Sequence, residues 1–129
     1  MSKEKYVIHL EDVKPWIGTP TSHPKSKWYT LLSEDNVEAK RLVLAYVELE
    51  PGGYTEPGTH DDIEQAFYFI EGEGVMMVDG KDYDVKPGTA VLVPLNTTHC
   101  YRNTGSSLLS FLVIESRPSS KEWIQKPVE

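Results

Sequence analysis

Cys100 is the only cysteine in the 129-residue chain, which excludes an intramolecular disulfide and any C-x-x-C redox or metal pair. Basic residues are also scarce. Thirteen Lys and Arg stand against 20 Asp and Glu, for a formal charge of −7 and a pI near 5.1. That balance argues against nucleic acid or an anionic membrane as a partner, since both require a basic face. No apolar run approaches the roughly 20 residues needed to span a bilayer. The opening MSKEKYVIHLEDV lacks the apolar core of a signal peptide. There is no phosphate-cradling glycine loop and no G-x-S-x-G elbow. With 39% hydrophobic and 26% charged residues, the composition is that of a globular domain long enough to bury its own core. The expectation is one cytoplasmic domain over residues 1–129.

What the chain does contain is a succession of short β-prone runs punctuated by Gly, Pro and Asn. Arg41 to Leu49 (RLVLAYVEL) ends at Pro51-Gly52-Gly53, and Ala66 to Ile70 (AFYFI) ends at Glu71-Gly72. Val75 to Val78 and Tyr83 to Val85 flank Asp79-Gly80, a strong hairpin signal. Thr89 to Val93, His99 to Asn103 and Leu108 to Ile114 complete the series. Strands at such regular spacing, without helical periodicity between them, predict an all-β sandwich or barrel. TAVLV and LLSFLVI are apolar on both faces, so a second sheet or a partner subunit must cover the outer one. In the first 40 residues, Tyr6 to Leu10 and Lys27 to Leu32 read as strands. Pro15, Gly18, Pro20 and Pro24 describe an extended arm between them. Trp16, Trp28 and Tyr29 suit packing of that arm across a barrel or a neighbouring subunit. In the tail, Ser119 to Trp123 could form one short helical turn before Pro127.

Histidine is sparse, four in all, yet two of the four fall inside matching frames. In the first frame, Gly52, His60, Gln65 and Gly72 fit G-x5-H-x-H-x3,4-E-x6-G, with Gly58 at the first histidine position and Gln65 at the carboxylate position. In the second, Gly88, Pro94, His99 and Asn103 fit G-x5-P-x-G-x2-H-x3-N. Asn96 takes the middle glycine there, a mild change because Asn tolerates positive φ. Together the two frames, covering about residues 41–116, resemble the paired motifs of the cupin superfamily. The resemblance implies a single cupin domain: a jelly-roll-like antiparallel β-barrel with an extended N-terminal arm over 1–40 and a tail over 117–129. It also implies a homodimer formed through the apolar outer faces and the arm.

Side chains alternate along a strand, so positions 58 and 60 face the same way, and closing the sheet brings His99 opposite them. Two imidazoles and a third donor on one wall suit Fe, Mn, Ni or Zn with open positions for substrate. The third donor is open between Gln65 and Glu64. The frame and the parity shared with Phe67 and Phe69 favour Gln65, whereas the charge of a divalent ion favours Glu64. Glu56 shares the parity of Gly58 and could reach the vacated imidazole position. Tyr101 shares that of His99, and either residue could move a proton. Tyr54, Gly58 and Phe67 are expected to line the pocket. His9 and His23 lie outside both frames and read as surface residues, and Cys100 faces away from the pocket. Such barrels serve as dioxygenases, decarboxylases, isomerases and lyases. The expected function is therefore metal-dependent chemistry on a small, carboxylate-bearing metabolite, with a non-catalytic binding or sensing barrel as the alternative.

Overall fold

A computed structural model describes residues 6–117. Among these residues nine strands form: β1 (Trp16–Thr19), β2 (Ser22–Leu32), β3 (Leu42–Leu49), β4 (Glu64–Glu71), β5 (Gly74–Val78), β6 (Lys81–Val85), β7 (Ala90–Val93), β8 (His99–Arg102) and β9 (Leu109–Ser116). They make two antiparallel sheets, one of six strands in the order β1-β2-β3-β9-β4-β7 and one of three in the order β6-β5-β8. The architecture is jelly-roll-like, an open sandwich rather than a closed barrel. No helix among the described residues is long and apolar enough to cross a membrane.

Alternation along the strands builds the core. In β3, Val43, Ala45, Val47 and Leu49 are buried while their neighbours are partly or fully exposed. Phe67 and Phe69 of β4 and Leu109, Phe111 and Val113 of β9 share that inner face, and Met76, Val85 and Tyr101 close it from the smaller sheet. Each such apolar side chain contributes about 1.5–3 kcal/mol by leaving water. The Asp79-Gly80 pair makes the predicted hairpin turn, both residues having positive φ (54° and 82°), as the right-handed twist of the flanking strands requires.

The N-terminal segment differs from expectation. Among the described residues Tyr6 to Leu10 joins no sheet, and Leu10–Asp12 is instead a single 3-10 turn. The arm is not merely extended but folds into the β1–β2 hairpin, with Trp16 paired to Trp28, and β2 starts earlier than the Lys27 expected. Pro24 is accommodated between two residues with positive φ, His23 and Lys25. The expected helical turn at 119–123 lies outside the described residues.

Asn96, the residue in place of the motif glycine, has φ 58°. Its amide donates to the His60 carbonyl at 2.7 Å, tying the second histidine frame to the first. Replacing Asn96 by Gly should leave stability unchanged. Asn96→Val should cost about 1–2 kcal/mol, since a β-branched residue is penalised in left-handed backbone. Urea denaturation of the two variants measures the difference.

Candidate functional site

The site is organised by a short segment that pairs with β8 without forming a regular strand. Gly58 and His99 exchange two backbone hydrogen bonds (3.0 and 2.9 Å), and Tyr54 bridges Arg102. Two residues beyond Gly58 on the same side, the ring of His60 comes to 5.4 Å from that of His99. Asn103, the last residue of the second frame, fixes the far end of this connection. Its side-chain amide donates to the carbonyls of Leu49 (2.8 Å) and Ser107 (2.9 Å).

The two imidazoles open into a cavity of about 160 Å³ between the sheets. A space of that size suits a small molecule. Phe67, Tyr101 and Trp28 form its aromatic wall, with the Phe67 ring 6.3 Å from that of His99. Burial is the largest influence on both histidines and lowers their pKa values. Arg117 reinforces this at His60 while Asp62 and Asp61 oppose it; at His99 the Thr97 carbonyl opposes it. Neutral imidazole is the ligating and hydrogen-bond-accepting form. His99 Nδ1 lies 3.2 Å from the Thr97 carbonyl, and donation there leaves Nε2 with the lone pair.

Gln65 is buried and faces this cavity, whereas Glu64 is exposed and lies on a separate surface depression with Arg41 and Asp62. Alternation permits only one of two adjacent residues to face inward, and the apolar residues Phe67 and Phe69 decide which. Gln65 Nε2 donates to Glu115 Oε2 at 2.6 Å, while Gln65 Oε1 is buried without a hydrogen-bond partner among the described residues. Gly58 leaves open space, since a Cβ placed there would meet nothing within 4 Å. Glu56 lies exposed at the cavity margin, Tyr101 is buried in its wall, and Tyr54 is exposed and outside the lining. Burial pushes the Tyr101 phenol well above its ordinary range, so it keeps its proton rather than serving as a base. Cys100 pairs with Met77 in the β5–β8 register and does not line the cavity.

Three titratable lining residues escaped the sequence reading. His23, taken as a surface residue, is half-buried in the cavity wall, whereas His9 is exposed as expected. Glu115 and Arg117 extend the inward parity of Phe111 and Val113 beyond the apolar run, and that continuation was the available signal. Arg117 Nη1 stands 3.8 Å from Glu115 Oε1.

Three neutral donors, His60, His99 and the unpartnered oxygen of Gln65, fit a divalent transition metal whose charge is balanced by a bound anion. No group of three His, Cys, Asp or Glu able to hold a metal occurs among the described residues.

Burial raises the Glu115 carboxyl from 4.5 to about 7, outweighing the lowering by Gln65 and Arg117. The folded state therefore holds a proton that the unfolded state releases, and stability falls as pH rises from 4.5 to about 7. The penalty, complete above that window, is on the order of 3 kcal/mol. His60 and His99 act with the opposite sign, destabilising the fold as pH drops below 6.5. Glu115→Gln should remove the carboxyl contribution alone. Relative to the parent, the variant should gain stability between pH 5 and pH 8, read by urea denaturation at both values.

Comparison with known proteins bears on the family and the fold. The chain is 28% identical over 95 residues to dimethylsulfoniopropionate lyase DddW of Ruegeria pomeroyi, an alignment spanning 73% of this chain and only 61% of the lyase. It is 31% identical over 84 residues to an oxalate-binding protein of Thermotoga maritima, spanning 65% of this chain and 69% of that protein. The crystal structure of a predicted oxalate decarboxylase from Thermotoga maritima superposes with a TM-score of 0.77 over 87% of this chain and 99% of the other. At 24% identity, that likeness demonstrates the shared fold. The cupin domain profile matches residues 45–115, from β3 to Glu115, and the chain belongs to the cupin superfamily.

Proposed function

We propose that this cupin binds and transforms a small carboxylate-bearing metabolite with the help of a divalent metal. The observation that carries the anionic ligand is Arg117, a cation only 9% exposed at the cavity wall. Two neutral imidazoles and the Gln65 carboxamide share that wall with it, and Glu115 beside it is held up near pH 7 by burial. A guanidinium in such surroundings suits recognition of a ligand carboxylate. His60, His99 and Gln65 would hold Fe, Mn, Ni or Zn, which when bound supplies Lewis-acid polarisation of a substrate oxygen. The chain's own residues do the rest. Glu115 fixes the Gln65 carboxamide, the aromatic wall excludes water, and Glu56 at the margin is placed to exchange a proton with solvent. One observation favours a second reading as a metal-free binding barrel: two of the family's ligand positions hold Gly58 and Gln65.

Metal titration of chelator-treated protein, with and without malonate, separates the readings. Under the first, malonate strengthens metal binding and His99→Ala abolishes it. Gly58→His, placed in open space, tightens it roughly 10- to 100-fold, a range typical even of outer-shell partners. Malonate bound equally well in the presence of EDTA supports the second.

We further propose a cytoplasmic single-domain protein that forms a homodimer through the outer face of the larger sheet. Cross-strand register aligns Leu44, Ile114, Ala66 and Leu92 in one row, and Tyr46, Leu112, Tyr68 and Ala90 in the next. Leu92 is 58% exposed and Tyr68 45%, an apolar stripe that a second copy would cover. Leu92→Glu combined with Ile114→Glu should convert the dimer to monomer in sedimentation velocity. A parent that already sediments as a monomer would refute the assembly.

A further inference from the structure

Gly58 has no local reason to be glycine. Of the nine glycines, Gly52, Gly72, Gly80 and Gly88 take positive φ, and a Cβ at Gly18, Gly53, Gly74 or Gly105 would press on a neighbour. Gly58 does neither. Its φ lies outside the left-handed region, and a Cβ there would meet nothing within 4 Å. Glycine in extended, paired backbone is a disadvantage to a fold, because it gives up more freedom on folding than any other residue. The fold gains nothing from this glycine, so its use lies in the space it leaves.

That space belongs to the cavity, beside His99. Gly58 and His99 are directly opposed in antiparallel pairing, and opposed residues project to the same face. The His99 ring lines the cavity, so the bare Cα of Gly58 faces it too. Glu56 and His60, two positions to either side, share that face and also line the cavity. The result is a notch next to the His60 and His99 rings, whose centroids are 5.4 Å apart. Its floor offers no hydrogen bond. The Gly58 amide donates to the His99 carbonyl, and the Gly58 carbonyl accepts from the His99 amide. With both main-chain groups engaged, a methylene carbon is what remains, a surface that matches carbon rather than oxygen. Polar recognition falls to other groups of the same cavity. Gln65 Oε1 is buried there without a hydrogen-bond partner among the described residues. Arg117 lowers the His60 pKa through its charge, so guanidinium and notch both lie near one imidazole.

Resting on the small-carboxylate reading of this cavity, we infer that Gly58 is a specificity-determining residue whose notch receives an alkyl branch of the bound acid. The ligand class is a short carboxylic acid with a methyl- or ethyl-sized substituent. Its oxygens meet the polar groups and its branch lies over Gly58. The family frame puts an imidazole at this position; here the ligand itself fills that volume. A side chain at position 58 would compete with the branch for the same space and leave the fold intact.

The probes are malonate, methylmalonate and ethylmalonate, which keep both carboxylates and lengthen only the branch. Calorimetry on the full chain, with Zn present and again with EDTA, makes the outcome independent of the metal. In the parent, each branch carbon should strengthen binding about fourfold, the worth of one buried methylene. In Gly58→Ala the ratio of ethylmalonate to malonate affinity should fall about tenfold, and further in Gly58→Val. Both variants should keep or raise the urea midpoint of the unliganded protein, since alanine and valine suit extended backbone at least as well as glycine. A lowered midpoint in Gly58→Ala would make the glycine a requirement of the fold and overturn the inference. So would an affinity ratio that neither variant moves. A parent that gains nothing from the branch overturns it too, while leaving the carboxylate reading in place. A parent that binds none of the three acids overturns both.

Discussion

The pairing of Gly58 with His99 is the constraint from which the site follows. Two backbone hydrogen bonds join a loop after β3 to the start of β8, across 41 positions of sequence. Without them His60 would sit on an irregular connection, free to face solvent. With them, the two-residue alternation of an extended chain directs its ring toward that of His99, and the Asn96 amide secures the His60 carbonyl from the other side. Backbone pairing, rather than any affinity between two imidazoles, creates the convergence. Both rings resist protonation, so they tolerate this proximity as neutral groups.

Charge is managed differently on the opposite wall. The family frame calls for a carboxylate at position 65, but this chain carries an amide there. A carboxylate occupies Glu115, its direct cross-strand partner on β9. Desolvation raises that carboxyl to about 7, although Arg117 stands 3.8 Å away. On the proposed reading, a metal in this cavity would need an anionic ligand, because its three candidate donors are uncharged. Metal and anion would then be coupled more tightly than in a site with a carboxylate in the donor set.

Much of the fold is legible along the chain because its signals are local. Asp79-Gly80 specifies a hairpin whatever surrounds it, and the alternation in β3 and β4 assigns inner and outer faces before any partner strand is known. The N-terminal arm was the least legible. Its prolines exclude a helix, but nothing local to Pro24 reveals that both neighbours adopt left-handed backbone to bring His23 inward. That conformation is imposed by Gly18, Ser26 and Glu50, which become its neighbours only once β1, β2 and β3 are assembled. Glu115 and Arg117 were overlooked for another reason: charged residues at the end of an apolar run read as its termination, although their parity continues it inward.

By itself, then, the sequence determined the strands, their turns and the frames that carry His60 and His99, since these depend on alternation and backbone preference among near neighbours. Tertiary structure decided that Gln65 rather than Glu64 faces the cavity, that Glu115 and Arg117 supply its charge, and that His23 joins its wall. Those outcomes depend on distances between strands remote in sequence and on water being excluded between two sheets, and neither quantity exists until the sheets have packed.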